Sequence, residues 1–280
     1  MWYTPEVMEQ FYPLTFKPDL HTALWGTESW EISGYHAAPS VVAEGRFAGE
    51  TLEALVRRFG RSFLGAKAPD PASFPLLFKV IEAKRRLSVQ VHPNETTCRE
   101  TKGEPKTEMW YVLGGRGPIF AGLKTGTTPA QVEEDVRTGR FEETLVRHEA
   151  AIGTSLYIPG GLVHAIGEDV TVYEVQQSSN TTYRLYDWGR LDANGRPRPL
   201  HVKEALASVD FTLPVPGVQR DVSSPFFTFR VVETEGVLDV PANDDSFTAI
   251  FDVATRQSVL VPAHCAASVP CGKTVLVTTL

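Results

Sequence analysis

The chain has few cysteines, no long apolar run and no block of positive charge, and each shortage removes a class of protein. Three cysteines in 280 residues, Cys98, Cys265 and Cys271, are odd in number and share no metal-ligand spacing. They fit reduced thiols better than a disulfide framework. No segment approaches the ~20 apolar residues a membrane-spanning helix needs. The formal charge is −7, and the basic residues form no run on any expected face, which argues against a nucleic-acid partner or an anionic membrane surface. An anionic ligand therefore needs a locally basic pocket. The start, MWYTPEVMEQFYPLTF, lacks a basic region, is broken by Pro5 and Pro13, and carries Glu6 and Glu9 where a signal peptide is apolar. The cytoplasm is the expected compartment, and nothing in the pattern sets an oligomeric state.

What is present is a chain 42% hydrophobic and 22% charged, long enough for one large domain or two modest ones. Two short helices are expected. In GETLEALVRRFG the apolar residues Leu52, Leu55, Val56 and Phe59 fall on one helical face, and Gly60 supplies a stop. In TPAQVEEDVRTG, Thr128 caps, Pro129 suits the first position, Gln131 completes a capping box and Gly139 ends the run. HVKEALASV, from His201, is a weaker third candidate. Most of the remainder alternates apolar and polar residues in short runs, punctuated by 22 glycines and 20 prolines, the pattern of antiparallel sheet. KTEMWYVL, TSLYIPG, DVTVYEVQQ, FFTFRVVE, SFTAIFDV, QSVLVPA and KTVLVT are examples. The expected fold is mainly β, a sandwich or barrel with a few short helices. Prolines cluster near VDFTLPVPGVQRDVSSP, so a first domain over 1–211 and a smaller β-rich C-terminal domain over 212–280 are expected. Only His264 lies beyond that point among the histidines, which assigns the chemistry to the first part.

The polar residues inside strands carry that chemistry. Side chains alternate faces along a strand, so LSVQVHP sends Ser88, Gln90 and His92 to one face. KTEMWYVL groups Lys106, Glu108 and Trp110 in the same way, and VTVYEVQQ groups Glu174 with Gln176. One such stripe is ordinarily a solvent-facing surface. Three of them, each mixing ligand-type residues with large apolar neighbours, suit a polar pocket inside a barrel. In GTSLYIPGGLVHAIG, the spacing from Gly153 through Pro159 and Gly161 to His164 is that of the second cupin motif, and Glu108 with Gly115 matches the end of the first. The chain thus resembles the cupins, jelly-roll barrels that hold a metal between two sheets. Neutral imidazoles from His92 and His164 with the Glu108 carboxylate suit Zn²⁺, Fe²⁺ or Mn²⁺, and Gln90 can add an amide oxygen. His21, His36, His148, His201 and His264 lie outside these patterns and read as ordinary.

Within the cupins, the chain resembles the type I phosphomannose isomerases. The resemblance is carried, in family order, by TESWEIS, LSVQVHP, KTEMWYV, IPGGLVHAIG, EVQQSSNTTYRLYDWGR and RPLHVKEALASVDF. It implies one Zn²⁺ per chain, other divalent ions being possible, on Gln90, His92, Glu108 and His164. It also implies an active-site arginine at Arg184 and a sugar phosphate held by Ser88, Lys106 and Arg184. The implied reaction interconverts mannose 6-phosphate and fructose 6-phosphate, by proton transfer between C2 and C1 through an enediol. Lys106, Arg184 and Glu174 are the expected catalytic residues, with Glu174 as first candidate for the proton transfer. One departure stands out: four residues before the arginine the family usually has aspartate, and this chain has Asn180, whose amide cannot accept the C2 proton. Two other readings fit parts of the pattern, a non-haem iron oxygenase and a non-catalytic sugar-phosphate-binding cupin.

Overall fold

The computed structural model describes residues 11–191 and 194–280. Both main helices end where their capping residues stand. Helix Leu52–Phe59 begins where Thr51 accepts a 3.1 Å hydrogen bond from the Ala54 amide, and it buries Leu52, Leu55, Val56 and Phe59. Helix Pro129–Thr138 begins where Thr128 Oγ1 accepts from the Gln131 amide at 3.2 Å. The other half of the expected capping box is absent, because the Gln131 side chain donates forward to Asp135 Oδ1 at 2.8 Å. Asp135 is buried and also accepts from Thr144 Oγ1 at 2.5 Å. The third helix spans Val202–Ser208.

Twenty strands among the described residues make the fold mainly β. The first five are β1 (Leu14–Lys17), β2 (Asp19–Ala23), β3 (Gly26–Ser33), β4 (Val41–Val42) and β5 (Leu76–Ala83). The middle of the chain supplies β6 (Val89–Val91), β7 (Glu108–Gly115), β8 (Pro118–Leu123), β9 (Leu145–Glu149), β10 (Ser155–Ile158), β11 (His164–Ile166), β12 (Val170–Gln177) and β13 (Tyr183–Tyr186). The last seven are β14 (Val222–Ser223), β15 (Thr228–Glu233), β16 (Val237–Val240), β17 (Thr248–Asp252), β18 (Ser258–Val261), β19 (Ala267–Pro270) and β20 (Thr274–Thr279).

The chain divides into two compact units. One holds residues 11–20, 29–79 and 220–280. Its seven-stranded sheet runs β14-β15-β20-β17-β18-β1-β4. The C-terminal β-rich stretch supplies five of these strands, and β1 and β4 supply two. Its core is aromatic, with Phe63, Phe74, Phe78, Phe227, Phe229, Phe247 and Phe251 fully buried.

The other unit holds residues 21–28 and 80–219. Two sheets build it, ordered β10-β7-β12-β5-β3-β2 and β13-β6-β11-β8-β9. Burial drives their association: Trp110, Ile119, Leu156, Ile158, Ile166 and Val172 form one apolar cluster, and Val89, Val91, Val163, Tyr183 and Leu185 belong to another. No helix among the described residues is long and apolar enough to cross a membrane.

Candidate metal centre

Strand register sets up the site. Residues directly opposite in an antiparallel pair share a face. In the five-stranded sheet, Gln90 on β6 faces Arg184 on one neighbour and His164 on the other, so the three form one row. In the six-stranded sheet, Glu108 pairs with Gln176 and Trp110 with Glu174. The two rows meet. His92 Nε2 lies 3.4 Å from Glu108 Oε2, His164 Nε2 lies 3.4 Å from Glu108 Oε1, and the two Nε2 atoms are 3.1 Å apart. All three side chains are buried, and one ligand atom from each lies within 4.8 Å of the others.

Protonation favours a cation at this point. Burial pushes the His92 imidazole down to about 3, reinforced by the nearby Lys106 charge, and burial likewise lowers His164. Burial alone would raise Glu108, but Lys106 and the two histidines outweigh it and hold the carboxyl well below its ordinary value. At neutral pH the set is two neutral imidazoles and one carboxylate. Among the described residues Glu108 Oε2 has the Lys106 side-chain nitrogen at 3.0 Å, but Oε1 accepts no hydrogen bond. A buried carboxylate oxygen left so carries a heavy desolvation cost, which a divalent ion relieves. The donor set therefore fits Zn²⁺ or a similar ion. Gln90 Nε2 is 3.3 Å from His164 Nε2. A half-turn of that amide presents its oxygen at the same point.

The surrounding backbone fixes these ligands. His92 Nδ1 lies 2.8 Å from the Thr181 carbonyl, and His164 Nδ1 lies 2.8 Å from the Leu162 carbonyl. Each ring therefore donates Nδ1–H outward and turns an unprotonated Nε2 inward, the arrangement a metal ligand requires. The Thr181 carbonyl is held by a chain of contacts in turn. Gln176 Nε2 donates to the carbonyls of Gln177 and Ser179 at 2.8 and 2.7 Å, shaping the turn that leads to Thr181. Two glycines let the histidine segments approach each other. Gly161 takes φ +95°, and its amide donates to the His92 carbonyl at 2.8 Å. A Cβ on Gly160 would stand 2.9 Å from both Pro93 O and Asn94 Cα.

The remaining expected residues fall around this cluster. Lys106 is buried, with Nζ 3.0 Å from Glu108 Oε2. Glu174 is buried and accepts a 2.8 Å hydrogen bond from Trp110 Nε1, and the Trp110 ring meets His164 edge-on at 5.3 Å. Ser88 is buried one residue before β6. Arg184 is half-buried, and Nη1 donates to the Pro199 carbonyl at 2.8 Å. Burial, then the neighbouring Arg198 charge, push the Arg184 pKa down. Asn180 lies in the turn, where its main-chain N–H donates to Glu104 Oε2 at 3.4 Å. Sequence reasoning missed Thr181, which acts through its main chain, and His201, read there as ordinary. His201 Nδ1 accepts from the Arg184 amide at 3.1 Å while the His201 amide donates to the Arg184 carbonyl at 2.7 Å.

Known proteins resemble this chain in sequence. The family model for phosphomannose isomerase type I, catalytic domain, matches residues 7–111. A mannose-6-phosphate isomerase of Bacillus subtilis, ManA, is 35% identical over 218 residues, covering 71% of this chain and 68% of its own. That of Streptococcus mutans is 32% identical over 246 residues, covering 77% of each. The chain belongs to the type I phosphomannose isomerases. A crystal structure of a mannose 6-phosphate isomerase from Bacillus subtilis superposes with a TM-score of 0.81 at 25% identity, over 96% of this chain and 99% of that one. The mainly β, cupin-type architecture expected from the motif spacings is therefore the architecture of the phosphomannose isomerases.

Proposed function

We propose that this member of the family interconverts mannose 6-phosphate and fructose 6-phosphate, with one Zn²⁺ held by His92, Glu108 and His164 and completed by Gln90. The observation that carries the reading is the buried meeting of those three donors, with both Nε2 atoms turned inward, in a chain of this family. When bound, the ion supplies Lewis acidity to the sugar's carbonyl and hydroxyl oxygens and helps orient the open chain.

The chain's own side chains do the rest. Lys106 sets its side-chain nitrogen 3.0 Å from Glu108 Oε2, and Arg184 stands on the same sheet row as Gln90. These two cations make the cleft locally basic in a chain of net charge −7, which answers how an acidic protein takes an anionic substrate. Arg184 grips phosphate oxygens bidentately, Lys106 meets negative charge as a point donor, and Ser88 adds a hydroxyl. Glu174 exchanges the proton between C2 and C1. Its Oε2 is fixed by the Trp110 indole, which orients the carboxylate for that task. Asn180 orients a hydroxyl in place of an aspartate. The catalytic part is residues 1–211, with 212–280 as the smaller β-rich part. The partner is a small sugar phosphate rather than nucleic acid or lipid, and the compartment is the cytoplasm.

The test couples fructose 6-phosphate formation from mannose 6-phosphate to a dehydrogenase readout, with Glu108→Ala and Arg184→Ala as controls. Turnover in the zinc-loaded protein that both substitutions abolish or cut by orders of magnitude is expected. Tight phosphosugar binding without turnover would instead make the chain a sensor, and stoichiometric copurified iron would favour an oxygenase.

A further inference from the structure

We infer that Asp187 and Arg198 form a fork whose task is to position Arg184 for the substrate's phosphate; this deepens the isomerase reading above and rests on it. Two arginines, Arg190 and Arg198, grip one carboxylate, and Arg184 feels its charge without contacting it. Arg198 meets Asp187 side-on, Nε to Oδ2 at 2.8 Å and Nη2 to Oδ1 at 2.6 Å, and Arg190 Nη2 donates to Oδ1 as well. Asp187 is buried. Its acceptor capacity is directed to Arg198 and Arg190, so Arg184 is left with charge to spare.

The fork reaches Arg184 through the chain that follows it. Arg198 anchors the next residue, Pro199, whose carbonyl accepts from Arg184 Nη1 at 2.8 Å. His201, two residues further, brackets the Arg184 backbone on both sides. The other end of the fork is tied to the site strand. Trp188 Nε1 donates to the Leu87 carbonyl at 2.5 Å, and Arg190 Nη1 donates to the Arg86 carbonyl. Leu87 leads directly into β6, which carries Gln90, the residue opposite Arg184. Arg184 is thus held by a closed ring of contacts, while its buried Nε has no hydrogen bond among the described residues. A guanidinium fixed at Nη1, with Nη2 making no hydrogen bond among the described residues, is preorganised for an oxyanion.

The experiment measures kcat and KM for mannose 6-phosphate in Asp187→Asn and Arg198→Lys of the zinc-loaded protein, and the binding of inorganic phosphate for the same substitutions in both the wild-type and the Arg184→Ala backgrounds. Arg198→Lys keeps the charge and loses the fork, so it serves even if Asp187→Asn fails to fold. The expected result is a KM and a phosphate dissociation constant each raised about tenfold with kcat changed less than about twofold, and no further rise of the phosphate dissociation constant where Arg184 is already alanine. Unchanged KM and phosphate binding in Arg198→Lys would overturn the inference, as would an equal rise in the Arg184→Ala background. A wild-type protein without turnover would defeat the isomerase reading instead, and phosphate binding measured by calorimetry would still decide the role of the fork.

Discussion

Replacing Gly160 by alanine should weaken the metal centre without touching a ligand. A methyl group there would meet Pro93 O and Asn94 Cα, both at 2.9 Å, where ordinary carbon contacts begin at about 3.5 Å. Both neighbours belong to main chain, so rotating a side chain brings no relief, and Pro93 directly follows His92. The two segments must separate by roughly 0.5 Å or more to recover normal contact. That motion also strains the hydrogen bond from Gly161 N to His92 O. Overpacking of this kind costs typically 1–3 kcal/mol, and each kcal/mol lowers Tm by about 2–4 °C in domains of roughly 150–250 residues. Displacing a ligand's support costs about 10- to 100-fold in metal affinity. The assay is competition for Zn²⁺ against a chromogenic chelator, with calorimetric unfolding alongside. Gly217→Ala is the control, since a Cβ there meets nothing within 4 Å, and it should stay within about 0.5 kcal/mol of wild type. Wild-type zinc affinity and Tm in Gly160→Ala would refute the account of how the two histidine segments are brought together.

Two further outcomes follow from the charges. Glu108→Gln leaves the buried Lys106 ammonium without its counter-charge and should destabilise the metal-free protein by about 3–5 kcal/mol, with Lys106→Met in the same chain recovering much of the loss; urea unfolding of the single and double variants reads this. Burial works to raise the Asp187 carboxyl, but hydrogen bonds from Arg198 and Arg190 prevail and hold it below its ordinary value. A group lowered in the folded state adds stability that is present above its unfolded pKa of about 3.9 and is lost as pH falls through the folded value. Acid unfolding of Asp187→Asn should therefore show a shallower loss below about pH 4 than wild type; parallel curves would remove Asp187 from the explanation.

The parts of the site that were legible in sequence are those governed by alternation. Gln90 and His92, and separately Lys106 and Glu108, could be assigned to shared faces because a strand repeats every two residues, and the spacing of IPGGLVHAIG brought His164 to them. What stayed hidden was carried by main chain or by distance. The Thr181 carbonyl that fixes His92 lies 89 positions away and has no side-chain signature. His201 looked like the start of a weak helix, and its ring faces backward onto Arg184. β5 shows no alternation to read, because seven of its eight residues, Lys79 among them, are buried and both faces of LLFKVIEA are covered. The capping box at Thr128 formed only in half because buried Asp135 offered Gln131 a better partner than the exposed main chain. Trp110 shared the expected face with Glu108, but its indole hydrogen bond to Glu174 depends on a cross-strand register that sequence alone does not set.

Isomerisation of a sugar phosphate by this chain should require a divalent ion on His92, Glu108 and His164. Proton NMR of mannose 6-phosphate with protein stripped of metal by a chelator, before and after one equivalent of Zn²⁺, tests it most directly. No conversion to fructose 6-phosphate is expected in the stripped protein, and conversion should return on adding zinc. Full conversion by verified metal-free protein would contradict that requirement.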